Sequence, residues 1–177
     1  MEEKLKTSDL HISTMVQIGQ ISSLINLKNL ATHLNINDNI LYIEYGSEIS
    51  KGDSLKKKPK KQKQVKYFYN QVTLHMNLNK RINTKIFNNG RIQMTGIKNI
   101  NQGKQVIDLF INEVSKLSEN NLNEIFEDTN IYQKSEIETV LINSDFDIYN
   151  TVNREVLHRL IVEYGYYSSY EPCQYPG

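Results

Sequence analysis

The sequence predicts an α+β protein in which helices pack on the apolar face of an antiparallel sheet. Three observations predict this class. Several segments alternate apolar and polar residues with the period of a strand, an Asn-Asn-Gly turn joins two of them as a hairpin, and other segments carry apolar residues at helical spacing. A chain of 177 residues with 38% hydrophobic residues is long enough to bury a core.

The first predicted elements are a strand over Leu10–Gly19 and a helix over Leu27–Leu34. Leu27, Leu30, Ala31 and Leu34 form the apolar stripe of the helix. Strand side chains point alternately to the two faces of a sheet. One face of the strand therefore carries Leu10, Ile12, Thr14, Val16 and Ile18, and the other carries His11, Ser13, Met15 and Gln17.

A short extra strand over Ile40–Tyr45 and a longer one over Tyr67–Leu78 follow. Between them, Ser47–Lys66 is polar and basic and contains Gly and Pro, which predicts a mobile insertion. It includes Lys56–Lys63, a basic block that is usual in a solvated loop but also fits a nuclear-import signal or an arm that contacts phosphates.

The most informative stretch is Ile86–Asn99, two short strands joined at Asn88-Asn89-Gly90. Asn and Gly supply the positive-φ positions that a tight hairpin needs. Ile86, Ile92 and Met94 share the face that suits a core. The opposite face places an aromatic ring among cations and hydrogen-bonding groups, and it carries Lys85, Phe87, Arg91, Gln93 and Thr95. Such a face suits a ligand that is polar, anionic and able to stack.

An amphipathic helix over Asn101–Leu117 completes a first unit, residues 1–117, and should lie on the apolar face of the sheet. Residues 118–136 are rich in Asn and acids with weak patterning. They are therefore predicted as a linker with a short helical turn.

The order of elements then restarts, with a strand at Ile137–Ile148 and a helix near Val152–Tyr164. Because the first half also opens with a strand and a helix, residues 137–177 are predicted as the first part of a second, truncated copy of one unit.

Composition excludes several function classes. The net charge is +1, so the overall charge favours no partner, and one cysteine, Cys173, excludes an internal disulfide. No segment has the length of a membrane span, and the N-terminus lacks the apolar core of a signal peptide. The four His residues show no metal-ligand spacing, and no catalytic constellation is present. We therefore predict a protein that is not an enzyme and needs no cofactor.

Three motifs resemble the TATA-box-binding protein (TBP) family. Leu27–Leu34, LKNLATHL, is similar to the family's LKKIALHA, and Ile86–Asn99, IFNNGRIQMTGIKN, is similar to IFSSGKMVCTGAKS. Ser168–Gly177, SSYEPCQYPG, is similar to SSYEPELFPG of the family's second repeat. The resemblance covers Leu10–Leu117 outside the insertion, and then Ile137–Gly177.

The resemblance implies a saddle: a curved antiparallel sheet with helices on its convex face and DNA in its concave underside. In this family Phe side chains unstack base steps in the minor groove and bend the duplex. The implied function is a transcription initiation factor that binds A·T-rich double-stranded DNA and docks general transcription factors or the RNA polymerase machinery. The implied location is the nucleus, or a viral factory or virion if the source is a large DNA virus.

The resemblance also implies roles for particular residues. Phe87 matches a wedge Phe, with Tyr69 as its partner in the first repeat and Tyr175 as a wedge in the second. Thr95 matches a base-contacting Thr and Arg91 a phosphate-contacting Lys. The positions that read bases correspond to His11, Ser13 and Leu141. Lys85, Gln93 and Asn143 make the underside more polar than in the family, so strict TATA preference is not expected.

Two rival functions remain open at this stage. A polar underside and a shortened second repeat fit a protein-interaction module that keeps the fold and has lost DNA binding. The chain could also be an accessory nucleic-acid-binding domain of an enzyme whose chemistry lies on another chain. Half of a saddle has an exposed sheet edge, which predicts pairing with a partner or self-association.

Overall fold

The computed structural model describes residues 7–53, 67–171 and 173. The strands are β1 (His11–Gln20), β2 (Ile40–Tyr45), β3 (Ile49–Gly52), β4 (Gln71–Asn77), β5 (Arg81–Phe87), β6 (Arg91–Ile97) and β7 (Glu138–Asp145). The helices are α1 (Leu27–His33), α2 (Gln102–Val114), α3 (Glu119–Ile125) and α4 (Arg154–Glu163). The chain forms two compact units, one over Ile12–Asp145 and one that combines Met1–His11 with Phe146–Gly177.

The strands form one curved antiparallel sheet in the order β3-β2-β4-β5-β6-β1-β7, so the predicted α+β class is confirmed. Alternate residues of β4, β5 and β6 point into one continuous apolar core, where they meet the buried sides of α1 and α2. Leu30 of α1 and Phe110 of α2 are fully buried there. The predicted helical stripes thus pack on the sheet as their spacing indicates.

Local capping fixes where α1 begins. The side chain of Asn26 accepts a hydrogen bond from the backbone N–H of Asn29 at 3.1 Å, which satisfies one of the free donors at the start of the helix. The end of α1 is held from another strand, because Lys51 Nζ donates to the carbonyls of Thr32 and Leu34 at 2.6 and 2.7 Å. Desolvation in this position lowers the pKa of Lys51.

Lys51 lies in the segment that the sequence predicts as a mobile insertion, and for its first part that prediction is wrong. Ile49–Gly52 is the edge strand β3, paired with β2 from Tyr45↔Ile49 to Tyr42↔Gly52. The strand is too short for a clear alternation, and its cross-strand partners order it. Residues 54–66, including all of Lys56–Lys63, lie outside the described residues.

The predicted linker contains structure that belongs to the core. α3 begins at a Ser118 cap, and Ile125 and Phe126 at its end are buried. Phe126 pairs with Ile25, and the backbone N–H of Ser22 donates to the carbonyl of Tyr132 at 3.0 Å. These contacts hold the predicted linker against the residues between β1 and α1. The weak pattern of its sequence did not indicate this.

In β1 the sequence gives the right period, but the structure decides which face is buried. Met15, Gln17, Gly19 and Ile21 are buried, whereas Val16 and Ile18 are only half-buried. Gly19 is buried because α2 comes so close that an added Cβ would lie 2.3 Å from Ile107 Cδ1. Gln17 is tolerated there because its amide donates to the carbonyl of Ile100 at 3.0 Å and to Thr139 Oγ1 at 3.1 Å.

A buried carboxylate joins α2 to the loop before β2. Glu113 accepts hydrogen bonds from the side-chain amides of Asn37 and Asn39, each at 2.7 Å, and from Lys116 Nζ at 2.6 Å. Burial by itself raises the pKa of Glu113, but the bonds from Lys116, Asn39 and Asn37 outweigh it, and the pKa lies below its usual value.

We expect Glu113→Gln to lower the free energy of unfolding by about 1–3 kcal/mol, because the variant replaces charged by neutral hydrogen bonds at a buried site. The contribution of Glu113 is present above the unfolded pKa of about 4.3 and is lost as the pH falls through the lower folded pKa. Urea unfolding between pH 3 and 7 measures this contribution to the free energy of unfolding. Asp108→Asn, an exposed acid of the same helix, is the control, and equal pH profiles for both variants would contradict the role of Glu113.

The compact unit that combines Met1–His11 with Phe146–Gly177 contains α4. This helix begins where the Asn153 side chain accepts a hydrogen bond from the N–H of Val156 at 3.2 Å. Its apolar residues Val156, Leu157, Leu160 and Val162 are all exposed. The predicted strand and helix of the second half are thus present as β7 and α4.

Candidate nucleic-acid interface

The face of the sheet opposite α1 and α2 carries the side chains that the sequence singled out. Cross-strand pairs define it, because directly opposite residues of antiparallel strands point to the same side. The pairs are Gln71↔Phe87, Thr73↔Lys85, Lys85↔Gln93, Asn83↔Thr95, Thr95↔Val16 and Gln93↔Ile18. We call this surface the open face; it includes Val16, Ile18, Gln20, Gln71, Thr73, Asn83, Lys85, Phe87, Arg91, Gln93 and Thr95.

Phe87 is the last residue of β5 and remains half-buried on the open face. The turn that follows is closed by Gly90, whose N–H donates to the carbonyl of Phe87 at 3.0 Å. A cavity of about 450 Å³ lies beside the ring and is lined by Asn70, Phe87, Asn88, Asn89, Arg91 and Gln93. An aromatic ring therefore borders a polar, solvent-accessible hollow at the end of the sheet.

The polar side chains around Phe87 keep their hydrogen-bonding capacity. Among residues 7–53, 67–171 and 173, no side-chain hydrogen bond or ion pair occupies Lys85, Arg91, Gln93 or Thr95. Lysine and arginine are donors with fixed positive charge, and Gln and Thr both donate and accept. The open face thus offers unsatisfied donors, some acceptors and two cations to a ligand.

Val16 and Ile18 add an apolar strip to this surface, which their sequence pattern alone did not indicate. Ile18 lies opposite Gln93 and Val16 lies opposite Thr95. The register shifts between Met15 and Val16, where β6 contains Gly96 with a φ of +95°. Gly96 is the sequence signal for this shift. It indicates an irregularity in the strand pair but not which side chains of β1 lie on the open face.

The structure places Ser13 and His11 differently from the prediction. By strand alternation both residues lie on the same face as Met15 and Gln17, which is the helix side of the sheet. Ser13 Oγ also donates to the carbonyl of Asn143 at 3.1 Å. The expectation that they lie on the ligand-binding underside is therefore wrong.

Tyr69 is also not where the prediction puts it. It precedes β4, its hydroxyl lies 2.8 Å from Ser47 Oγ, and its ring meets that of Tyr45 edge-on at 5.8 Å. Tyr45 packs against the core, so Tyr69 is held at the β2–β3 turn and not beside Phe87. Asn70, the next residue in the chain, lines the cavity beside Phe87.

In β7, Leu141 and Asn143 follow Thr139 by strand alternation, and Thr139 bonds to Gln17 on the helix side. They are therefore not on the open face. Tyr175 lies outside the described residues, so its predicted wedge role stays a prediction.

Neither a metal-binding cluster nor a membrane-spanning helix occurs in the described part of the chain. No group of three or more His, Cys, Asp or Glu residues there could hold a metal ion. No helix among these residues is long and apolar enough to cross a membrane.

Comparison with known proteins agrees with the motifs. No family model matches the chain. A TATA-box-binding protein-like protein of Acanthamoeba polyphaga mimivirus is 27% identical over 173 residues, which are 90% of this chain and 47% of the relative. The chain thus spans about half the length of that relative. A solved TBP of Methanococcus jannaschii superposes with a TM-score of 0.59 at 19% identity, over 96% of this chain and 74% of that one.

The fold defines the class: an α+β protein with a curved antiparallel sheet and helices packed on one face, as in the archaeal TBP. The likeness to the mimivirus protein extends along nearly the whole chain. The chain is thus similar in sequence to a TBP-like protein of mimivirus and similar in fold to an archaeal TBP.

Proposed function

We propose that the chain binds double-stranded DNA through the open face, in the minor groove, and bends it by inserting Phe87 between base pairs. The observation that carries this proposal is the half-buried ring of Phe87 beside Lys85 and Arg91, two cations without an ion pair among the described residues. Proteins that bend DNA through the minor groove combine apolar wedges with basic and amide side chains in this way. In this proposal the protein acts by binding and not by catalysis.

The apolar strip supports the same proposal. Base-pair edges in the minor groove differ little between A·T and T·A, so contact with apolar side chains is compatible with reading an A·T-rich site. Val16 and Ile18 lie next to Thr95 and Gln93 and would contact the floor of such a groove. By its likeness to TBP, we further propose a role in transcription initiation with partners of the transcription machinery, in the nucleus or, for a viral protein, in the viral factory or virion.

A gel-shift assay combined with a measurement of DNA bending tests the proposal. We expect the protein to bind and bend an A·T-rich duplex in preference to a G·C-rich one of equal length. Binding without bending would overturn the wedge, and a protein that binds no duplex would overturn the proposed function.

The electrostatic part can be measured separately. We expect Arg91→Ala to weaken binding to all sequences about equally and to reduce the slope of log K against log salt by about one, because one phosphate contact is lost. Lys104→Ala removes an exposed cation of α2 on the opposite side of the sheet and should leave the slope unchanged. Equal slopes for the two variants would exclude Arg91 from the interface.

A second candidate function is a protein-interaction module. Val140, Leu141 and Ile142 of the terminal strand β7 are exposed, and exposed apolar strand edges pair readily with other chains. This function predicts a stable protein complex and no shift of any duplex in the same assay. Sedimentation of the protein without DNA distinguishes self-association from both.

A further inference from the structure

The cross-strand pair Lys85–Gln93 has a position and a chemistry that no feature of the core requires. The two residues lie directly opposite each other on β5 and β6, and both are half-buried on the open face. Neither side chain has a hydrogen bond or an ion pair among the described residues. Half-buried polar side chains without internal partners are hydrated in the free protein and can exchange that water for a ligand.

The neighbours of Gln93 fix where such a ligand would be. Gln93 lines the same cavity as Phe87 and Arg91, and Ile18 lies opposite it on β1. A base pair contacted by Gln93 would therefore be close to the step that Phe87 enters. Ile18 itself offers no hydrogen-bonding group, and the side-chain amide of Gln20, the next β1 residue on this face, donates to the carbonyl of Asn89. Polar recognition opposite Ile18 therefore falls to Gln93 and Lys85.

The chemistry of the pair matches one base pair better than the other. In the minor groove A·T shows only acceptors, whereas G·C shows the same acceptors and one donor, the amino group on C2 of guanine. Lys85 and Arg91 can only donate, but the amide of Gln93 can also accept. An apolar side chain at that position would leave the guanine amino group without a partner.

We propose that Gln93 and Lys85 form a subsite for a G·C base pair in the minor groove, next to the step engaged by Phe87. Gln93 Oε1 accepts the guanine amino group, and Lys85 donates to the acceptors of the same or the adjacent pair. The proposal rests on the proposed function, since it names the sequence preference of that surface. The site recognised is then A·T-rich with one tolerated G·C pair, and not uniformly A·T.

Inosine makes the test specific, because an I·C pair differs from G·C in the minor groove only by the missing amino group. We place a single G·C or I·C pair at each position of an A·T-rich duplex and measure the dissociation constant of each. The full chain should bind G·C as well as or better than I·C at one position. Gln93→Leu should bind G·C roughly tenfold more weakly than I·C at that position and leave I·C binding unchanged.

Two control variants separate this role from general effects. Gln71→Leu makes the same substitution on the open face outside the cavity that Gln93 lines, and it should not change the ratio of G·C to I·C affinities. Lys85→Leu should weaken binding to both duplexes, because the acceptors that Lys85 serves are present in G·C and in I·C. Thermal unfolding of each variant shows whether the sheet is intact.

The outcomes distinguish this proposal from the one on which it rests. A full chain that binds none of the duplexes overturns the proposed function, and the subsite with it. A full chain that binds them, while Gln93→Leu leaves the ratio of G·C to I·C affinities unchanged at every position, overturns the subsite alone.

Discussion

Phe87→Ala should reduce the bend of bound DNA by more than half, while the affinity falls by only about tenfold or less. The ring of Phe87 supplies the wedge, and unstacking a base step costs a few kcal/mol that the bound, bent state has to recover through additional contacts. Without the ring, the variant loses those contacts but also avoids the unstacking cost. Fluorescence energy transfer between the ends of a labelled duplex measures the bend, and titration measures the affinity.

The control is Phe146→Ala, which removes an exposed ring from the other compact unit and should change neither quantity. Since Phe87 is only half-buried and has no part in the core cluster, the sheet should tolerate its loss. Equal bending by the Phe87 variant and the full chain would exclude the ring as a wedge.

Gly90→Ala should destabilise the protein by about 2–5 kcal/mol and impair DNA bending. Gly90 has a φ of +80°, and a Cβ there would lie 2.7 Å from the carbonyl oxygen of Ser23 and 2.8 Å from that of Ile21. The left-handed backbone costs an alanine about 1–2 kcal/mol, and the clash with backbone atoms adds an overpacking cost of about 1–3 kcal/mol. Because the Gly90 N–H also closes the turn on Phe87, the ring should be displaced.

Gly96→Ala separates the two costs. Gly96 has a φ of +95° in the same sheet, but the nearest atom to an added Cβ is the carbonyl oxygen of Arg81 at 3.9 Å. We therefore expect only the backbone cost, about 1–2 kcal/mol, in urea unfolding. If Gly90→Ala and Gly96→Ala lower the free energy of unfolding by the same amount, the close approach of the hairpin turn to the segment after β1 does not contribute to the cost.

The hairpin of β5 and β6 shows how much of the fold and site the sequence predicts. Its turn residues and its alternation gave both strands and the faces of Ile86, Phe87 and Gln93, because a two-residue period and a positive-φ turn are local properties. The helices α1 and α2 were predicted for the same reason, since a 3.6-residue period is visible in a single segment.

β1 shows why the rest could not be predicted. Its alternation is clear, yet the face that carries Gln17 and Gly19 is the buried one, because α2 needs a glycine at its closest approach and the amide of Gln17 finds partners on two other segments. Tyr69 likewise takes its position from Ser47 and Tyr45, 22 and 24 residues earlier. The positions of Gln17, Gly19 and Tyr69 therefore depend on contacts with residues that are distant in the sequence.

The sequence by itself determined the class of the fold, most of its strands and helices, and the face that presents Phe87, Lys85, Arg91, Gln93 and Thr95, since each follows from local periodicity and turn chemistry. Only the tertiary structure decided the register of β1 on β6, and with it that Val16 and Ile18, and not His11 and Ser13, complete the open face. The physical reason is that a strand offers two faces of equal period, and packing against α2 selects which of them is buried.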